Sequence, residues 1–146
     1  MNKQKALKEL FEYIEEYKER DQYLFHMKFI EELSLLLSKD ASGHEKELFN
    51  IMIKQFGFVN TLNTRVNEAD SNEILKDTGD DGDYYSLHIK SKTLNLRMLM
   101  RFTEENLPVF LGIFHERSGK RVSDYTGWVP IIKARYIQIK EEIENE

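Results

Sequence analysis

The chain has 146 residues, of which 40% are hydrophobic, 12% aromatic and 32% charged, with a net charge of −5. That supplies one domain with a full core, is too short for two, and excludes a disordered chain. The lack of cysteine excludes disulfides and thiolate metal sites, and makes an intracellular, cytoplasmic protein the default. With no 18-residue apolar run and a charged start, MNKQKALKELFEY, neither a membrane span nor a signal peptide is expected.

Lys3 to Lys18 read as a first helix, with Leu7, Leu10, Phe11, Ile14 and Tyr17 at helical spacing among Glu and Lys. That stripe suits a core or a partner helix, including a second copy of the chain, and carries no chemistry. Asp21 and Gln22 interrupt it. Tyr23 to Ser38 is apolar on several sides and reads as a buried helix, although Tyr23 to Phe29 fits a short strand equally well. After the loop Lys39 to Gly43, Ser42 and Glu45 have the spacing of a capping box. The third helix then runs to about Phe56, where Gly57 is expected to end it. Phe58 to Leu75 is weakly patterned, with a short helix expected near Ser71 to Leu75. Lys76 to Asp83 is an acidic turn cluster without the ligand spacing of a calcium loop.

Tyr84 to Glu116 reads as three antiparallel strands by period-2 alternation. Tyr85, Leu87 and Ile89 share a face of the first; Leu94, Leu96, Met98, Met100 and Phe102 share one of the second. Val109, Leu111 and Ile113 are expected together on the third. A two-residue loop at Lys92-Thr93 sets His88 opposite Arg97 and Lys90 opposite Asn95. A second loop, Thr103 to Pro108, sets Arg97 opposite Phe114 and Arg101 opposite Phe110. A basic segment, Arg117 to Gly127, precedes a last helix from Pro130 to about Glu144.

Charge divides the chain unevenly. Residues 84–140 hold ten Lys or Arg and four acids, a net of +6, which leaves −11 on the remainder. The polar sheet face would carry Tyr84, His88, Lys90, Arg97, Arg101, Phe110 and Phe114, ending at Glu116. Cations interleaved with rings suit a single-stranded nucleic acid, cations meeting phosphates and rings stacking on bases. The plainer reading of the same pattern, equally weighted, is a solvated outer face that keeps a half-exposed sheet soluble.

The segments YYSLHIKSKTLNLRMLMRF, VFLGIFHERSGKR and PIIKARYIQIKEE resemble, in that order, the hairpin, third strand and tail helix of the RelE/ParE toxin superfamily, its phage-derived, HigB-like branch above all. The resemblance covers about Phe29 to Lys140. It implies an α+β fold: N-terminal helices packed on a small antiparallel sheet, a three-stranded meander, followed by a C-terminal helix. Residues 1–146 form a single domain in this reading, with 1–22 a helical extension and 23–140 the RelE-like core. It further implies a toxin of a toxin-antitoxin system, a metal-independent endoribonuclease acting on messenger RNA at the ribosome and held in check by an antitoxin protein.

That chemistry needs a proton acceptor for the RNA 2′-hydroxyl, a proton donor for the leaving oxygen, and cations for the charge on phosphorus. Carried over by position, Arg97 would clamp the phosphate. His88 stands where the family has arginine, and is the better proton-transfer group near neutrality. Lys90 and Arg117 complete the catalytic set, and Lys92, Arg101, Phe110, Phe114, Lys120 and Arg121 would line the RNA path. No metal or other cofactor is implied. His115 and Glu116 replace common lysines, and the acidic total departs from basic relatives. A non-catalytic nucleic-acid-binding or protein-inhibitor module on the same scaffold is the alternative. Nothing in the residues selects the topoisomerase-poisoning use of the fold, an RNA target, or an oligomeric state, a dimer included.

Overall fold

The computed structural model describes residues 3–19, 22–39, 41–75, 78–79, 82–116, 125 and 127–145. Its elements are α1 (Lys3–Glu19), β1 (Leu24–Phe25), α2 (Met27–Ser38), α3 (Glu45–Leu62), a 3₁₀ turn (Asn63–Glu68), β2 (Glu73–Ile74), β3 (Tyr84–Lys90), β4 (Asn95–Phe102), β5 (Pro108–His115) and α4 (Trp128–Glu144). The strands form one mixed sheet in the order β1-β5-β4-β3-β2.

The expected three-stranded meander is therefore corrected to a five-stranded sheet of which it is the centre. β1 pairs parallel with β5, Leu24 opposite Val109, and β2 pairs antiparallel with β3, Glu73 opposite Ser86. Both added strands are two residues long. A two-residue strand shows no alternation, so periodicity is blind to it. Ser71 to Leu75, expected as a short helix, holds one of them.

The β3–β4 hairpin has the register that its alternation predicts. His88 lies opposite Arg97 and Lys90 opposite Asn95, and the Ser91 N–H donates to Leu94 O at 2.9 Å across the Lys92-Thr93 loop. β5 departs from its predicted register. Leu99 pairs with Gly112 but Met100 pairs with Phe110, which leaves Leu111 as an extra, bulged residue. One inserted residue reverses side-chain sense in the strand beyond it. Arg101 consequently faces Val109 and not Phe110. Phe110 enters the core on the first face, while Val109 and Leu111 move to the second.

That first face carries Tyr85, Leu87, Ile89, Leu96, Met98, Met100, Phe110 and Ile113 against α1, α2 and α3. Leu10 and Ile14 of α1 are buried in this same core, and Tyr13 stacks on Phe56 of α3 at 5.8 Å. Phe110 is the hub, with Tyr23, Phe25, Phe29 and Phe56 all within 5.7 Å between ring centroids. α3 runs through Gly57, because Phe56 and Val59 keep burying apolar surface and one interior glycine costs only about 1 kcal/mol. It ends at Asn63, in the left-handed region at φ 53°. The predicted Ser42 cap is replaced by His44, and the Glu45 carboxylate accepts from the Gly43 N–H at 2.9 Å.

The second face is not solvated. α4 covers it, burying Ile132, Tyr136 and Ile139 against Tyr84, Leu99, Val109 and Leu111. Gly112 permits the close approach, since a Cβ there would come within 2.9 Å of the Trp128 ring. His26 links the helices on the two sides. Its Nδ1 accepts from the Lys28 N–H at the start of α2, and its Nε2 meets Gln138 of α4 at 2.6 Å. Among the described residues no helix is long and apolar enough to cross a membrane.

Phe110 tests the bulge directly. Phe110→Ala should cost about 3–5 kcal/mol by urea denaturation, the loss typical of a large ring removed from a packed core. A loss below about 1 kcal/mol would return Phe110 to a surface position.

Candidate functional site

The structure brings together only part of the predicted set. His88 is half-buried on the second face, and Lys90 and Lys92 are exposed near the hairpin tip. Arg97 is buried and already engaged: its Nε donates to Glu116 Oε2 at 2.7 Å and its Nη1 to the Ser71 carbonyl at 2.9 Å. Arg101 is buried as well, its guanidinium 3.9 Å from the Tyr136 ring centroid and 5.0 Å from that of Tyr84. Its Nε donates to the Phe102 carbonyl at 3.1 Å. The alternation of β4 placed both arginines on the right face, but could not show that α4 and the strand ends would occupy them.

Phe110 is removed from the site altogether, since the bulge turns it into the core. Phe114 does lie opposite Arg97, but its ring stacks on Trp128 at 5.0 Å and meets Tyr125 edge-on. Neither ring is presented for a base to stack on. Arg117, Lys120 and Arg121 lie outside the described residues.

What converges is a polar cluster at the end of the sheet where β4 begins and β5 finishes. His88 Nε2 lies 2.6 Å from Asn95 Oδ1, and Asn95 Nδ2 donates to the Glu116 carbonyl at 3.3 Å. Asn95 is two residues from Arg97 on one strand, so it shares the face of His88 and was reachable from the register. On the outer side, Asn72 Oδ1 accepts the His88 N–H at 2.8 Å, and Gln55 Nε2 donates to the His88 carbonyl at 2.8 Å. These two amides, bonded to one another, replace the strand that β2 is too short to provide. Tyr125 closes the cluster, its hydroxyl donating to Glu73 Oε1 at 2.6 Å and accepting from the Ser86 hydroxyl at 2.9 Å. Sequence patterns gave no sign of Gln55, Asn72 or Tyr125, because each reaches the sheet from an irregular or helical segment.

The opposite edge is finished in the same way. Beyond β1, Glu32 Oε1 accepts the Ile113 N–H at 3.3 Å and Arg135 Nη1 donates to the Leu111 carbonyl at 2.7 Å. Arg135 and Glu32 pair with each other through two contacts of 2.9 Å. Arg135 thereby joins α4 to α2.

The imidazole of His88 titrates below its ordinary 6.5. Burial is the largest cause, the nearby Arg97 charge adds to it, and the bond to Asn95 opposes it. The ring is thus neutral at pH 7. Burial and the Glu73 contact push the Tyr125 hydroxyl up to about 12, so it remains a donor there. Chemically the cluster offers one neutral proton acceptor beside exposed lysines, and one internally neutralised arginine.

No protein-family model, curated protein or solved structure matches the chain.

Two measurements test this geometry. The side chains of Arg97 and Glu116 are 9% and 10% exposed, so removing either strands a charge. Arg97→Met or Glu116→Leu alone should lose about 3 kcal/mol, and the double variant less than the sum; additive losses in urea would deny the coupling. For His88, the unfolded chain takes up its proton at a higher pH than the folded one, so protonation favours unfolding. Its contribution is complete above pH 6.5 and lost as pH falls through the lowered folded value. His88→Gln should flatten the pH dependence of the unfolding midpoint in that acid window.

Proposed function

We propose that the chain is the toxin-like member of a toxin-antitoxin pair in the cytoplasm, a metal-independent endoribonuclease acting on ribosome-bound messenger RNA, with His88 as its proton acceptor. The observation that carries this reading is the state of His88: half-buried, neutral at pH 7, and on one strand with the exposed Lys90. A neutral imidazole can take the proton of a 2′-hydroxyl. The 2′-oxygen then bonds to the adjacent phosphorus, the bond from phosphorus to the 5′-oxygen breaks, and that oxygen is protonated by Lys90 or water. Lys90, Lys92 and the basic residues that follow Glu116 in sequence supply positive charge for the phosphate.

Arg97 has a different part in this scheme from the phosphate clamp that the resemblance implies. Bound to Glu116 and the Ser71 carbonyl, it supports the wall on which His88 sits and helps to keep the imidazole neutral. The engagement of both Arg97 and Arg101 inside the fold is also what favours the second reading, a non-catalytic binding module.

Expression in cells separates the two. The wild type should slow growth and fragment ribosome-bound RNA. His88→Gln, verified as folded by circular dichroism, should reduce cleavage by about a hundredfold or more. Lys90→Gln should weaken RNA binding and flatten its salt dependence. If the wild type leaves growth and RNA intact while still binding RNA or protein, the binding-module reading replaces the enzymatic one.

A further inference from the structure

Asn95 is held at both ends of its amide. Nδ2 donates to the Glu116 carbonyl at 3.3 Å, and Oδ1 faces His88 Nε2 at 2.6 Å. A carbonyl of the main chain can only accept, so the Glu116 end must receive the NH₂ group and the histidine end must present oxygen. The Glu116 carbonyl is itself fixed, because the Glu116 N–H donates to the Asn95 carbonyl at 2.8 Å across the same strand ends. An amide oxygen aimed at a ring nitrogen can only accept in turn. The hydrogen of the neutral imidazole must therefore sit on Nε2.

We infer that Asn95 is a positioning residue that locks His88 in the Nε2–H tautomer and so makes Nδ1 the atom that accepts a proton. Among the described residues Nδ1 has no hydrogen-bond partner, so its lone pair is the ring's one uncommitted acceptor. The backbone of His88 is held on the other side by Asn72 and Gln55. Ring and strand are thus anchored from opposite directions, and the one acceptor position stays unclaimed. The charged groups that face the ring are Lys90 on its own strand, Arg97 on β4 and Glu116 after β5. Two cations and one carboxylate act on the pKa, but none of them makes the bond that chooses the tautomer. That role is Asn95's alone among the described residues.

The inference rests on the proposed role of His88 for its functional meaning, but its test does not depend on activity. Long-range ¹H–¹⁵N spectra of uniformly labelled protein above pH 7 report each ring nitrogen separately. The wild type should show His88 with a protonated, pyrrole-type Nε2 and an unprotonated, pyridine-type Nδ1. Asn95→Ala should move both signals toward the exchange average of an unrestrained imidazole, with the backbone amide spectrum otherwise kept. Asn95→Asp places an acceptor in the same position. It should preserve the tautomer while raising the His88 pKa, since a carboxylate favours the charged ring. A wild-type spectrum with Nδ1 protonated, or already averaged, overturns the inference whatever the variants do. Signals that do not respond to Asn95→Ala overturn it too. In the cleavage assay Asn95→Ala should lower kcat with KM little changed, by less than His88→Gln does. A locked tautomer in a protein that cuts no RNA would refute the enzymatic reading and leave the role of Asn95 intact.

Discussion

A single residue inserted into β5 decides how the rest of the molecule is arranged. Because Leu111 has no partner between the Leu99–Gly112 and Met100–Phe110 pairs, the half of the strand before it presents its other side. Phe110 drops into the aromatic cluster under α1, α2 and α3. Val109 and Leu111 turn to the opposite face and give α4 an apolar surface to cover. Without the bulge, Val109 and Leu111 would leave that face, and Ile132, Tyr136 and Ile139 of α4 would lose two of the apolar residues they bury against, keeping Tyr84 and Leu99.

Covering the second face changes the meaning of every cation on it. A guanidinium on an open sheet is a phosphate ligand in waiting. The same group under a helix must find its partners within the protein, because an unpaired buried charge costs more than the fold can spare. Arg97 finds Glu116 and a carbonyl, Arg101 finds two tyrosine rings, and Arg135 finds Glu32 and a carbonyl. His88 differs from these because a neutral imidazole is cheap to half-bury. It can therefore leave one ring nitrogen uncommitted, whereas a buried guanidinium, all donors and always charged, must find partners.

The sheet also shows how short flanking strands are tolerated. β1 and β2 each pair over only two residues, which leaves backbone groups of β5 and β3 that need partners. Side chains complete them: Glu32 and Arg135 at one edge, Gln55 and Asn72 at the other. Such amides and carboxylates blunt the edges and deny them to another chain. The candidate site sits where this edge-finishing meets the end of the β3–β4 hairpin, so its geometry comes from the same need to satisfy backbone groups.

The sequence by itself determined the four long helices, though not where α3 ends, and the β3–β4 hairpin with its register, because alternation over seven or eight residues leaves one pairing that keeps the apolar side chains together. From that register alone His88 could be set beside Arg97. What only the tertiary structure decided was the bulge at Leu111, the two-residue strands and the cover over the second face. A bulge leaves the apolar count unchanged while exchanging the faces, and a two-residue strand has no period to detect. Whether an arginine is a ligand or a pillar depends on what lies above it, and Glu116, Ser71 and α4 are remote from Arg97 in the chain but not in the fold.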